Sequence, residues 1–249
     1  MVLEKFKIFI INLKKDKKRR THIINQLTEQ KINNYEIIDA VNGKEFDKKE
    51  IKKNTFTNKM GINPWNSKMS FSQIGCALSH IKIYKKFIET DYDYALILED
   101  DAIFVENFHN KLINFIINSF KYKKQIILLS EIKQFYSKPI IKIKKYELVN
   151  VTNAFFTHAY FINKEAAKSI ISFNYPVKTI ADNFVLFKLY CGIKITGINP
   201  FIIDQDKKNH PTTISIEKGE FKKIFLFKRT VYKLKMKFIK FFIKLKSHN

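Results

Sequence analysis

The feature that most constrains this fold is a set of short apolar runs with no polar face. Lys7–Leu13 (KIFIINL) and Tyr94–Leu98 (YALIL) carry Ile, Leu and Phe at successive positions rather than at alternate ones. A strand with one face in water alternates. A strand without alternation is covered on both faces, as in parallel sheets sandwiched between helices. Between these runs lie helical patterns. After the first, Asp16 is placed to cap a helix whose apolar positions are Ile23, Ile24 and Leu27. Asn34–Gly43 (NYEIIDAVNG) is a second short strand closing on a turn at Asn42-Gly43. In Ser72–Thr90 (SQIGCALSHIKIYKKFIET), Ile74, Ala77, Leu78, Ile81 and Tyr84 recur at helical spacing, with Ser72 or Ser70 as cap. The order strand, helix, strand predicts an α/β fold.

Further strands are expected at Gln125–Ser130, Phe155–Ile162 and Gly192–Ile198, and a short helix at Lys164–Phe173. Residues 51–70, which hold Trp65, show no period and read as a long loop over the sheet. From Phe221 the composition changes: ten Lys/Arg and no Asp or Glu, with Ile224, Phe227, Val231, Leu234, Phe238, Phe241 and Leu245 on one face. That is a basic amphipathic helix.

With 249 residues, 45% of them hydrophobic, the chain can bury a large core, in one large domain or two small ones. Only 6 Gly and 5 Pro argue against a flexible linker. Cys76 and Cys191 form no CxxC pair, so neither a disulfide framework nor a structural zinc is indicated, and a reducing, cytosolic setting is expected. The N-terminal apolar run is too short for a secretory core. The formal net charge of +23 asks for a polyanionic partner: nucleic acid, an anionic membrane or an acidic substrate.

The most acidic point of this basic chain follows its most strand-like segment: Glu99, Asp100 and Asp101. Ligands of such sheets bind beyond the carboxyl ends of the strands. Strand alternation would point Glu99 and Asp101 the same way. Two converging carboxylates need something positive between them, and an oxygen-rich site of this kind suits Mg²⁺ or Mn²⁺ holding a diphosphate. An acidic surface turn or a helix N-terminus is the alternative. Arg19 and Arg20 follow the first strand, where Arg pairs well with phosphate, although the surrounding lysine run also fits a solvated face. Asp39 and Asn42 follow the second strand and could reach a base or ribose, or serve only a turn.

GCALSHI, about a dozen helical residues, then ALILEDDA resembles the signature of glycosyltransferase family 25, the lipopolysaccharide and lipooligosaccharide glycosyltransferases related to collagen galactosyltransferases. IFIINLKKDKKRR, IIDAVNG, FFTHAYFINKEAA, IADNFVL and NPFIIDQD resemble further family segments in the expected order, over about residues 5–215. The resemblance implies a GT-A type, Rossmann-like mixed sheet flanked by helices, a nucleotide-sugar donor and an inverting transfer. Glu99, Asp100 and Asp101 match the family's acidic motif, with Glu99 and Asp101 facing the metal (Mn²⁺ or Mg²⁺) and Asp100 the donor. Asp182, in IADNFVL, matches the Asp of the family's vD segment and is the candidate base, or a cap for the helix that follows. Ser79 and His80 fall in the helical signature and are candidate substrate contacts. His210, late in the chain, is a candidate metal ligand or a plain loop residue. UDP-galactose is the expected donor and a surface glycan such as lipopolysaccharide the expected acceptor.

Two units are thus expected: a glycosyltransferase domain over residues 1–215 and a basic amphipathic tail over 216–249. The tail is expected to bind anionic lipid and hold the enzyme peripherally on the inner face of the cytoplasmic membrane; a packed or partner helix is the alternative. A non-catalytic nucleic-acid binder is the competing function class. Ten of the 46 Lys/Arg sit from Phe221 onward, with phenylalanines on the apolar stripe, and no zinc-finger or RNP motif occurs, so nucleic acid is not the expected partner.

Overall fold

A computed structural model describes residues 5–47, 49, 53–55, 69–155 and 157–209. Most of the 51–70 loop, His210 and the basic tail lie outside the described residues.

Strand β1 (Phe6–Asn12) pairs in parallel with β2 (Tyr35–Asp39) on one side and β3 (Tyr94–Glu99) on the other. Helix α1 (Lys17–Glu29) joins β1 to β2; the Asp16 carboxylate accepts from the Arg19 backbone N–H at 3.2 Å and starts it. Helix α2 (Phe71–Ile88) begins with a capping box in which Gln73 N–H donates to Ser70 Oγ and Ser70 N–H donates to Gln73 Oε1. Of the two candidate serines, Ser70 is the cap.

The chain continues through β4 (Ala102–Phe104), α3 (Asn110–Asn118), β5 (Gln125–Leu128), β6 (Gln134–Phe135), β7 (Ile141–Ile143), β8 (Tyr146–Asn153), β9 (Ala159–Asn163), α4 (Lys164–Asn174), α5 (Phe184–Cys191), β10 (Lys194–Asn199) and β11 (Ile203–Gln205). The main sheet runs β2-β1-β3-β9-β5-β10-β8-β6, with β7 beside β8. Strand β9 is antiparallel to both neighbours, β3 and β5, which makes the sheet mixed. Its reversed direction has a consequence for the site. Ala159 pairs with Leu98, so Thr157 and His158, just before β9, arrive at the carboxyl end of β3. The predicted strand Phe155–Ile162 therefore starts later than its apolar content suggests.

Both faces of the sheet around β1 and β3 are dry, as the unbroken apolar runs require. Phe6, Ile8, Ile10, Leu96 and Leu98 pack with Ile23 and Leu27 of α1 and Ile113 and Ile116 of α3. Phe9, Ile11, Ala95 and Ile97 pack with Ile83 and Phe87 of α2, Ile170 of α4 and Phe187 of α5. Each such side chain removed from water contributes about 1.5–3 kcal/mol. No helix among the described residues is long and apolar enough to cross a membrane.

Candidate active site

The acidic turn is resolved residue by residue at the sheet edge. Glu99 is the last residue of β3; Asp100 and Asp101 form the turn into β4, so strand alternation stops at Glu99. Asp100 accepts from Asn12 Nδ2 at 2.8 Å and from Arg19 Nε at 2.6 Å. Asp101 accepts from Arg19 Nη2 and, at 2.9 Å, from Gln205 Nε2. Gln205 is brought there by the small ribbon of β11 and β4, in which it pairs with Ala102. The positive group between the carboxylates is thus the Arg19 guanidinium, from the first turn of α1. Two carboxylates against one guanidinium leave one surplus negative charge in a buried place. Burial pushes Asp100 up to about 6 against the pull of Arg19 and Asn12, with Asp101 adding to the rise. Burial and the Glu99 charge likewise raise Asp101.

Glu99 has different partners. Its Oε1 accepts from Thr157 Oγ1 at 2.6 Å and lies 3.4 Å from His80 Nε2. Burial works to raise this carboxyl, but His80, Thr157 and His158 more than offset it and hold it at about 2. Behind His80 runs a buried chain: His80 Nδ1 to the Tyr160 hydroxyl at 2.8 Å, and Tyr160 to the Tyr84 hydroxyl at 2.6 Å. Tyr160→Phe removes the middle of this chain and leaves two buried polar groups short of a partner. We expect a loss of about 1–3 kcal/mol, read from urea unfolding.

The GCALSH stretch of α2 now has a physical account. A Cβ on Gly75 would lie 2.5 Å from the Val41 carbonyl, and one on Gly43 would lie 1.7 Å from the Phe71 carbonyl. The loop after β2 and the start of α2 therefore touch backbone to backbone. Ser79 Oγ accepts from Val41 N–H at 2.8 Å and donates to the Gly75 carbonyl at 2.7 Å, pinning the same loop. Gly43→Ala must push that loop off α2; we expect a destabilisation of about 1–3 kcal/mol, read from a shifted denaturant midpoint.

A cleft of about 510 Å³ opens between these elements, lined by residues of the β1–α1 loop, the Ala40–Lys44 loop, α2 and the acidic turn. Lys15, Lys17, Lys18, Arg19 and Lys44 give it a positive rim, and Cys76, Ser79, Glu99 and Asp100 line its wall. Of the residues singled out in the sequence, Arg19, Asn42, Ser79, Glu99 and Asp100 line this cleft. His80 is buried behind it, and Asp101 is buried beneath Arg19. Arg20 is half-buried and Asp39 exposed, and neither lines the cleft. Asp182 is half-buried, and Asn183, not Asp182, caps α5 by accepting from Leu186 N–H. Asp182 does not line the cleft, although its charge adds to the rise of the Cys76 thiol. His210 lies outside the described residues.

The sequence did not single out Cys76, Thr157, Asn12 or Gln205 as site residues, and it placed His158 in the sheet. His158 is buried close enough to Glu99, Asp101 and Asp204 for their charges to oppose the burial that lowers it.

A hard divalent cation fits the acidic turn on one observation. Asp101 Oδ1 is buried and has no hydrogen-bond partner among the described residues, whereas both oxygens of Asp100 are engaged. An unused carboxylate oxygen beside a surplus negative charge suits a cation that needs only one or two protein carboxylates.

The chain matches glycosyltransferase family 25 (LPS biosynthesis protein) over residues 5–185, from β1 into the start of α5. It belongs to this family. Procollagen galactosyltransferase 2 of Homo sapiens is 28% identical over 172 residues, which are 67% of this chain and 27% of that protein. A Haemophilus influenzae protein with "glycosyltransferase" in its name is 28% identical over 209 residues, 82% of this chain and 71% of that one. The chain thus spans about a quarter of the length of the procollagen galactosyltransferase it matches. Among solved structures, S. aureus TarS 1-349 shares a TM-score of 0.42 at 11% identity, over 81% of this chain and 60% of that one, a likeness too loose to build on. The family 25 match contains the acidic turn, the cleft loops and the GCALSH helix; Gln205, which holds Asp101, lies beyond it.

Proposed function

We propose that this family 25 member transfers a hexose, galactose first among candidates, from a UDP-sugar to a hydroxyl of a surface glycan such as lipopolysaccharide. The observation that carries the reading is the cleft at the carboxyl ends of β1, β2 and β3. Its rim is lysine-rich, as a diphosphate requires, and its wall carries Glu99 and Asp100, with Asp101 buried just behind them. The galactosyl choice is supported by the names of the procollagen galactosyltransferases.

In this reading, Lys15, Lys18 and Lys44 attract the diphosphate, and the Ala40–Lys44 loop, fixed by Ser79, faces the nucleoside. Asn42, whose amide donates to Glu45, lines the cleft there. Asp101, with Glu99 alongside, would hold Mn²⁺ or Mg²⁺, which when bound stabilises the departing diphosphate as a Lewis acid. Arg19 keeps Asp100 and Asp101 side by side and brings its own positive charge to the cleft wall. Asp182 is the candidate base that takes the acceptor hydroxyl proton in an inverting displacement. The basic tail remains our proposal for attachment to an anionic membrane.

The donor half is tested by binding. Thermal unfolding of the full chain with UDP, with uridine and with chelator separates the contributions. UDP should raise the midpoint, uridine should raise it less, and Mn²⁺ should add to the UDP effect. No shift with UDP under any condition removes the donor assignment.

A further inference from the structure

We propose that Cys76, His80 and Glu99 form a second cation site, for a thiophilic divalent ion of the zinc class, in the wall of the cleft. One ligand atom from each residue lies within 4.8 Å of the other two. Cys76 and His80 are four apart on α2 and share a face, while Glu99 reaches them from the end of β3.

A second observation points to a ligand independently of the clustering. The His80 side chain is 2% exposed, and its Nε2 makes no hydrogen bond with any described residue, although it lies 3.4 Å from Glu99 Oε1. Its other nitrogen, Nδ1, is held by the Tyr160 hydroxyl, itself held by Tyr84. A metal-ligating histidine is normally oriented in this way, by a partner on the nitrogen that does not bind the metal. A donor set of sulfur, imidazole and one carboxylate selects Zn²⁺ or Co²⁺ over Mg²⁺ or Mn²⁺. Three protein ligands with a fourth position open is the arrangement of a reactive rather than a purely structural zinc site. Cys76 and Glu99 both line the cleft, which puts the site in its wall. The site shares Glu99 with the hard-oxygen place proposed at Asp101 but adds a sulfur and an imidazole, which that place lacks. Burial and the nearby Glu99, Asp182 and Asp101 charges push the Cys76 thiol well up, so an arriving cation must displace its proton.

The test uses the full chain, stripped with chelator and titrated anaerobically with Co²⁺. A single equivalent should produce a thiolate-to-cobalt charge-transfer band in the near ultraviolet and the visible bands of four-coordinate Co²⁺, and Zn²⁺ should erase both. Cys191→Ser should keep the band. Cys76→Ser should lose it while retaining the far-ultraviolet circular dichroism of the native chain. A wild type without the thiolate band, or a band that persists in Cys76→Ser, overturns the proposal. Should Cys76→Ser not fold, Cys191→Ser decides: loss of the band there moves the thiolate to Cys191 and overturns it equally. None of these readouts involves sugar transfer, so their failure leaves the donor reading untouched.

Discussion

Asp101→Asn is expected to lower sugar transfer at least about a hundredfold, the scale of losing one preorganised electrostatic contribution to a charged transition state. The substitution keeps the shape of the side chain and can still face Gln205, but it removes the negative charge that a divalent cation needs. It also leaves Arg19 with Asp100 alone, which relieves rather than worsens the surplus negative charge at the turn. The fold should therefore persist while turnover falls. Steady-state kcat/KM measured beside a thermal melt separates the two. A fall in activity matched by a collapse of the melt would assign Asp101 a structural role only.

The largest expected effect on stability belongs to Arg19→Met. Its guanidinium is the shared partner of two buried carboxylates whose side chains are 10% and 2% exposed. Breaking a buried pair by removing one member costs about 3–5 kcal/mol, because the remaining charge is left uncompensated. Here two carboxylates are stranded side by side. The sign of the pH dependence follows. Without Arg19 the folded-state values of Asp100 and Asp101 rise further above their unfolded value of about 4. A raised folded-state value makes a contribution that is intact below about 4 and lost as pH rises through the raised value. The deficit of Arg19→Met relative to wild type should thus be greatest at neutral pH and shrink toward pH 4, measured as urea midpoints across that range.

What the sequence could disclose, and what it could not, divides along a physical line. Strands β1 and β3 and helix α2 were legible because hydrophobic period is a local property, and Asp16 and Ser70 marked helix starts through local capping chemistry. The acidic turn was legible as an anomaly of charge. Its direction was not: alternation was carried one residue too far, past Glu99, where β3 ends. Pairing across long separations was also hidden. Arg19 and Asp100 are 81 positions apart, and nothing in a lysine-rich run distinguishes the one residue whose side chain turns inward. Thr157 and His158 looked like strand because they adjoin Ala159–Asn163, yet β9 begins after them. Strand β8 (YELVNVTN) mixes polar and apolar residues because it pairs near the sheet margin, and α3 starts from His109, an uncommon cap. Cys76 and His80 are neighbours on one face of α2, but only the approach of β3 brings Glu99 to them.

In the proposed function, the lysine-rimmed cleft beside the acidic turn holds a nucleotide-sugar donor and breaks its sugar–phosphate bond. The most direct measurement is nucleotide release by the purified full chain across a panel of UDP-, GDP- and CMP-sugars, with Mn²⁺ and with chelator. Release from a UDP-hexose is expected, fastest with UDP-galactose and dependent on the added cation. Release from no member of the panel, in a chain shown by its cooperative melt to be folded, would contradict it.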